Sequence, residues 1–337
     1  MTTINRRDFL KLAGTIGVGA VLGTYKSEIA DVFAQAADKG VKLVWLQGQG
    51  CTGCTVSLIQ GTHPDLYDAI LKLQVDIPFH PTIMAAAGKP AIDALEAVNP
   101  DILVIEGAVP NAEYCEVGGK PFVDVVKTMA AKSGVVVAVG TCAAFGGIPA
   151  AKGNPTNARS VSKVLGKTVV NIPGCPAHPD WILLVAASVI LGIIPELDDK
   201  GRPVAFFGEE IHENCARRGY YDKGDFAEDF TESDMSYEKC LWKVGCKAPV
   251  TRADCAVRKW NNGVNVCMNA GAPCIGCADP GFPDSVSPLY VELEKVPTFV
   301  GIDTDTAGKV AIGATAVGIA AHAIRRGIKK HPESKEE

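Results

Sequence analysis

Twelve soft donors fall into three sets of four along this chain: Cys51, Cys54, Cys142 and Cys175; His212, Cys215, Cys240 and Cys246; Cys255, Cys267, Cys274 and Cys277. Of the twelve cysteines only Cys115 is left over, and it reads as a small hydrophobe. Cys-x-x-Cys spacing at Cys51/Cys54 and Cys274/Cys277 lets two thiolates from one turn reach one inorganic centre, and His212-x-x-Cys215 repeats the spacing with an imidazole. Each pair alone is shared with zinc ribbons and redox disulfides. Three complete fours are the ligand count for three iron–sulfur clusters, and so many soft ligands suit a carrier of electrons better than a binder of its own substrate.

On the residues alone, a disulfide framework and structural zinc stay open as alternatives. Zinc ligands usually come as two close pairs in one local unit, whereas Cys54, Cys142 and Cys175 are far apart in sequence. His178, beside Cys175, reads as a structural histidine, and His63 and His80 carry no assignment.

From Val41 to Phe207 short apolar runs alternate with helical stretches. Val41–Leu46, Asp101–Ile105, Val135–Val139, Thr168–Ile172 and Val204–Phe207 read as buried parallel strands, each ending near a glycine. Helices are expected over Thr55–Ala69, Pro90–Val98, Pro121–Lys132 and Pro179–Leu191. This is the rhythm of an α/β, doubly wound parallel sheet. All four cysteines of the first set follow strand ends, where open parallel sheets place their ligands. After Gly208 the rhythm stops, and residues 209–307 are rich in Cys, Gly, Pro, Asn and Asp, so this region is expected to lack an ordinary core and to depend on its metal centres or a partner.

The N-terminus reads as an export signal. Arg6-Arg7-Asp8-Phe9-Leu10-Lys11 precedes a weakly apolar run from Leu12 to Gly23 and a small-x-small site at Ala34-Gln35-Ala36. Twin arginines in that order resemble a Tat signal, so residues 1–36 are set apart from the fold. Val310–Ile324 is too short and too rich in Ala and Gly for a membrane span and reads as a closely packed helix. A net charge of −5 gives no basic footprint for nucleic acid. The acidic stretch from Tyr221 to Lys239 is either a solvated loop or a surface that steers a cationic redox partner.

These motifs together resemble the small, electron-transferring subunit of periplasmic nickel–iron hydrogenases over essentially the whole chain. The resemblance rests on Gly50-Cys51-Thr52-Gly53-Cys54, Gly140-Thr141-Cys142, Pro173-Gly174-Cys175-Pro176, His212-Glu213-Asn214-Cys215-Ala216-Arg217-Arg218-Gly219, Gly245-Cys246-Lys247 and Pro273-Cys274-Ile275-Gly276-Cys277. It implies a flavodoxin-like domain over 37–207 with a proximal [4Fe–4S] cluster on Cys51, Cys54, Cys142 and Cys175. It implies an irregular, cluster-supported C-terminal domain over 208–337, with a distal cluster on His212, Cys215, Cys240 and Cys246 and a medial one on Cys255, Cys267, Cys274 and Cys277. The implied partners are a large subunit that bears the nickel–iron site and a c-type cytochrome, in a periplasmic complex that is soluble or peripheral to the membrane. No bond-breaking residue is expected in this chain.

Two details place the chain within that family. Many relatives have proline where this chain has Cys267, and a three-iron medial cluster. A fourth thiolate here implies a [4Fe–4S] medial cluster, similar to the nickel–iron–selenium branch, or a [3Fe–4S] one if Cys267 is not a ligand. Oxygen-tolerant relatives add two cysteines near the proximal cluster, at positions that correspond to Gly53 and Ala150, which implies an ordinary proximal cluster. The alternatives to this reading are the iron–sulfur subunit of a respiratory, quinone-reducing complex and a non-redox zinc or disulfide protein.

Overall fold

The structure is a computed structural model in which residues 40–62, 65–233 and 239–293 are described. The segment 1–36, the Val310–Ile324 run, and Asp234 and Glu238 of the acidic stretch lie outside the described residues.

Strand β1 (Lys42–Gln47) leads through helices α1 (Gly53–Ile59) and α2 (Leu66–Leu73) to β2 (Asp76–Phe79). Helix α3 (Lys89–Ala97) precedes β3 (Ile102–Glu106), and a small antiparallel pair, β4 (Glu116–Val117) and β5 (Lys120–Pro121), precedes α4 (Phe122–Lys132). Then come β6 (Val135–Val139), α5 (Gly140–Phe145), α6 (Val161–Leu165), β7 (Val170–Ile172) and α7 (Pro179–Ile190). The main sheet is parallel, in the order β2-β1-β3-β6-β7. Its reversal point lies at β1, as in doubly wound folds.

The pleat divides the strands between two cores. Leu43, Trp45, Ile102, Val104, Val137 and Val139 face one cluster, and Val44, Leu46, Leu103, Ile105, Val136 and Ala138 face the other. Both faces are buried, which is why the strands read as unbroken apolar runs instead of alternating ones.

The register aligns the strand ends. Gln47 pairs with Glu106, Glu106 with Val139 and Val139 with Ile172, so all four strands stop on one rung. Cys51, Cys142 and Cys175 follow that rung within a few residues, and chain segments far apart in sequence meet there.

Three expectations need correction. Val204–Phe207 is a single helical turn, α8, not a strand. Pro203 starts it, and Phe206 and Phe207 are buried, with Phe207 against Trp181 at 4.9 Å between ring centroids. A four-residue apolar run fits either element, and packing decides between them. The helix expected over Thr55–Ala69 is two helices, because α1 closes at Gln60-Gly61 and Asp65 caps α2 through its carboxylate and the Asp68 amide, at 2.7 Å. Finally, residues 209–293 do have a core. Ile211, Ala227, Leu241, Val244, Ala248, Ala253, Val266, Met268 and Ala278 belong to the same buried cluster as Trp45, Trp181 and the sheet. Helices α9 (Arg218–Lys223) and α10 (Cys255–Arg258) are the only α-helices among the described residues there.

Candidate metal centres

Cys51 lies in the turn after β1, and Cys54 lies in the first turn of α1. Thr52 adopts a left-handed conformation to bend the chain between them. Cys142 is in α5, directly after β6, and Cys175 follows β7. Gly140 has φ +84, and a Cβ there would collide with Cys54 Sγ, so the turn after β6 requires glycine on two counts. Gly53 is similarly close: a Cβ would lie 3.0 Å from Cys51 Sγ. Thr141 Oγ1 accepts from the Gly174 amide at 2.9 Å, tying the Cys142 turn to the Cys175 turn.

These four sulfurs share one electrostatic neighbourhood. Burial above all raises the Cys54 thiol well above its usual range, and nearby Glu106, Cys142 and Cys175 add to it. Burial, then Cys175 and Cys51, pushes Cys142 up to about 11. Burial and Cys51 raise Cys175. Thiolates gathered closely, with Cys54 buried and Cys142 and Cys175 half-buried, are unfavourable on their own and become stable when iron neutralises them. The donor set therefore fits a cluster.

The second set is built on a short 3-10 turn, Ile211–Asn214. His212 is buried on that turn, its ring edge-on to Tyr221 at 4.4 Å between centroids, and its Nε2 is buried with no hydrogen-bond partner. Burial, helped by Arg218, lowers its pKa to about 4, so the imidazole is neutral with a lone pair to give. Such a nitrogen is able to ligate a metal, but His80 has an orphaned buried Nε2 of the same kind, so the adjoining Cys215 is what favours His212. Cys215 follows the turn, and its Sγ accepts from the Arg217 amide at 3.4 Å. Burial pushes Cys240 up to about 12 and Cys246 up to about 11, and both thiols interact with Cys215.

The third set gathers around α10 and the Cys274–Cys277 turn. Burial raises Cys255 and Cys274 well above the usual thiol range and Cys277 to about 11. Cys267 interacts with all three, and burial raises it too, although one side of the residue is exposed. Within each set the cysteines act on one another, and Cys267 is the most exposed of the third. All twelve cysteines are free, so no disulfide framework is present, and Cys115 packs against the second core. Among the described residues no three His, Cys, Asp or Glu side chains converge on a single-ion site. In a cubane cluster each thiolate binds its own iron, so the fit is judged by donor chemistry.

The sets are joined. Thr141 Oγ1 donates to Cys277 O at 2.5 Å, and the Cys277 thiol takes a hydrogen bond from the Cys175 backbone. On the other side the Cys274 amide donates to Cys246 Sγ at 3.3 Å. The Cys274–Cys277 turn therefore touches both other sets, which puts the third set between the first and the second.

Three charged residues near the sets are buried. Glu106, 4 % exposed at the end of β3, accepts hydrogen bonds from Cys54 N, Thr55 N, Thr55 Oγ1, Trp45 Nε1 and Gln47 Nε2. Arg217 and Lys247 are each 1 % exposed beside the second set. Arg217 and Lys247 fall within the quoted motifs and Glu106 ends a buried strand, but the sequence does not mark their burial. His178 is structural, as expected: it caps α7 by accepting from the Asp180 amide and bonds Lys259 O at 2.8 Å. His80 stacks on Trp45 at 5.1 Å between ring centroids. In the acidic stretch Asp222 pairs with Arg218, Glu228 with Lys243 and Glu232 with Lys239, so much of its charge is locally matched.

Residues 207–290 match the family model for the C-terminal part of the NiFe/NiFeSe hydrogenase small subunit, and residues 51–189 match that of the NADH ubiquinone oxidoreductase 20 kDa subunit. The F420 non-reducing hydrogenase II small subunit of Methanosarcina mazei is 42% identical, over 96% of this chain and 93% of its own length. The periplasmic [NiFeSe] hydrogenase small subunit of Desulfomicrobium baculatum is 43% identical, over 86% of this chain and 99% of its own length. A solved structure of the H2-activated [NiFeSe] hydrogenase from Desulfomicrobium baculatum superimposes with a TM-score of 0.70 at 43% identity, covering 76% of this chain and 100% of that one.

Proposed function

Because the chain belongs to the family of nickel–iron and nickel–iron–selenium hydrogenase small subunits, we propose that it relays electrons through three [4Fe–4S] clusters. The proximal cluster sits on Cys51, Cys54, Cys142 and Cys175, the medial on Cys255, Cys267, Cys274 and Cys277, and the distal on His212, Cys215, Cys240 and Cys246. The protein is the electron-transfer half of a heterodimeric hydrogenase whose large subunit is its partner. When bound, each cluster takes up and passes on one electron at a time.

The observation that carries the order is the Cys274–Cys277 turn, hydrogen-bonded to Cys246 on one side and to Thr141 and Cys175 on the other. An electron that enters at the sheet edge passes the third set before it reaches the second. The protein's own part is to hold the ligands in place, exclude water and fix the hydrogen bonds and charges around each centre. Cys267 supplies the fourth medial thiolate, and without it three sulfurs would hold a [3Fe–4S] centre.

The chain divides into an export signal over 1–36, a flavodoxin-like unit over 37–207 and a cluster-bearing unit over 208–337. The twin-arginine signal directs it to the periplasm, and the Desulfomicrobium baculatum and Solidesulfovibrio fructosivorans relatives are named as periplasmic. A c-type cytochrome takes the electrons from the distal cluster. The match over residues 51–189 is shared with respiratory complexes, and the hydrogenase C-terminal match over 207–290 favours the hydrogenase reading.

The test is anaerobic reduction of the purified heterodimer by H2, followed by addition of oxidised c-type cytochrome. The iron–sulfur absorbance is expected to bleach under H2 and to return as the cytochrome reduces. H2 consumption with a chromophore that stays oxidised would rule out the relay, and a bleached chromophore that the cytochrome leaves reduced would rule out that acceptor.

A further inference from the structure

We infer that this chain holds a fixed charge gradient along its three ligand sets, with a buried carboxylate, Glu106, against the first set and buried cations, Lys247 and Arg217, against the third and second, so that electrons are driven away from the first set. The inference rests on the relay proposed above and adds a direction to it.

Glu106 lies on the strand-end rung that the first set follows. Its Oε1 accepts from the amides of Cys54 and Thr55 at 2.9 and 3.1 Å, and its Oε2 from Trp45 Nε1 and Gln47 Nε2, each at 3.0 Å. These partners are all N–H donors, and the Thr55 hydroxyl joins them on Oε2, which is the hydrogen-bond pattern of an ionised carboxylate. Its negative charge reaches Cys54 and Cys142.

Lys247 follows Cys246, and its amide donates to Cys274 O at 2.7 Å, so its backbone links the second and third sets. Its ammonium donates to Val291 O at 2.5 Å. A carbonyl satisfies one donor and neutralises no charge, and a buried ammonium needs an anionic neighbour. Burial lowers the Lys247 pKa, and Cys246 and Cys274, one from each set, act against that lowering. Arg217 is held by Met268 O at 2.9 Å and Lys239 O at 2.6 Å, and its charge acts on Cys215 and Cys240 of the second set.

Burial decides which charges matter. Arg218 and the acidic residues near it are exposed and locally paired, and solvent screens them. Glu106, Lys247 and Arg217 act through protein of low polarity. An extra electron is destabilised on a cluster beside a buried anion and stabilised on one beside a buried cation, which is one of the levers that set cluster potentials. Along the order first, third, second, the charges run from negative to positive. The chain is thereby biased toward carrying electrons outward from the large subunit, the direction of H2 oxidation.

The test is a potentiometric titration of the heterodimer followed by EPR, with iron and sulfide measured on every sample. Lys247→Met keeps the length of the side chain and removes the charge. It is expected to lower the midpoint potentials of the second and third clusters and leave the first unmoved, while Lys247→Arg keeps all three near wild type. Glu106→Gln is expected to raise the first cluster alone. Full iron and sulfide with unmoved potentials in either neutral variant would overturn the gradient while leaving the relay standing. Loss of clusters from Lys247→Met that Lys247→Arg fails to restore would overturn it as well, since charge would then not be what the site needs. Missing cluster signals in the wild-type protein would instead count against the relay itself.

Discussion

The amide of Cys274 donates to the Sγ of Cys246 at 3.3 Å, and the amide of Lys247 donates back to Cys274 O at 2.7 Å. Two ligand sets are thus stitched together by a reciprocal pair of hydrogen bonds between their own residues. A hydrogen bond to a ligand sulfur stabilises its charged form and tunes the centre that it holds, so the second and third sets are coupled through their protein scaffold.

Cys267 decides the type of the middle centre. It is the outermost of its four and interacts with Cys255, Cys274 and Cys277. Cys267→Ala is expected to give a three-iron EPR signal in the oxidised protein, where wild type shows none. The same silence in both proteins would remove Cys267 from the ligand set.

His212 offers a buried Nε2 with no protein partner. His212→Ala is expected to lower iron and sulfide by roughly a third, one cluster of three. Imidazole in the medium should restore part of the loss, because the vacated space fits its ring. Full iron content in the variant would make the histidine merely structural.

Gly140 combines a positive φ with a Cβ position that Cys54 Sγ occupies. Gly140→Ala is expected to cost about 1–3 kcal/mol of stability and to deplete the first cluster selectively. Gly153 is the control, because its φ is +102 but nothing lies within 4 Å of a Cβ there. Gly153→Ala should carry the backbone strain without the loss of iron. Equal iron in the two variants would show that the contact with Cys54 is of no consequence.

His178 supplies a pH dependence. Burial first, and Arg258 in addition, lowers its pKa below the ordinary value of 6.5. The unfolded chain therefore takes up this proton before the folded one does. Its stabilising contribution is complete above pH 6.5 and is lost as pH falls toward the lowered folded value. Protonation also removes the Nδ1 lone pair that accepts from the Asp180 amide at 3.1 Å. Thermal unfolding midpoints should fall between pH 7 and pH 5 by less in His178→Gln than in wild type. Parallel pH profiles would exclude His178 as a contributor.

The Cys and His spacing was legible because it is local in each turn, and most strand ends because they can be read from apolar runs. Cys51, Cys142 and Cys175 could be brought together from strand positions alone, since a parallel sheet gathers the ends of its strands. β2 was not legible, because Asp76-Ile77-Pro78-Phe79 carries a proline and only half of an apolar run. Val204–Phe207 misled, since four apolar residues fit a strand or a helical turn and only Trp181 and Pro203 decide. The core under residues 209–293 was hidden because Ile211, Leu241, Val244 and Val266 follow no period in sequence. The burial of Glu106 and Lys247 was hidden for a related reason: it depends on what the rest of the chain places around each charge.

The central claim is three clusters on twelve donors of this one chain. It is tested most directly by iron and inorganic sulfide analysis of the purified heterodimer, joined to reductive EPR titration. The account predicts about twelve irons and twelve sulfides per small subunit, beyond any iron of the large subunit, and three separately reducible centres. Zinc in place of iron, the absence of sulfide, or only two reducible centres would contradict it.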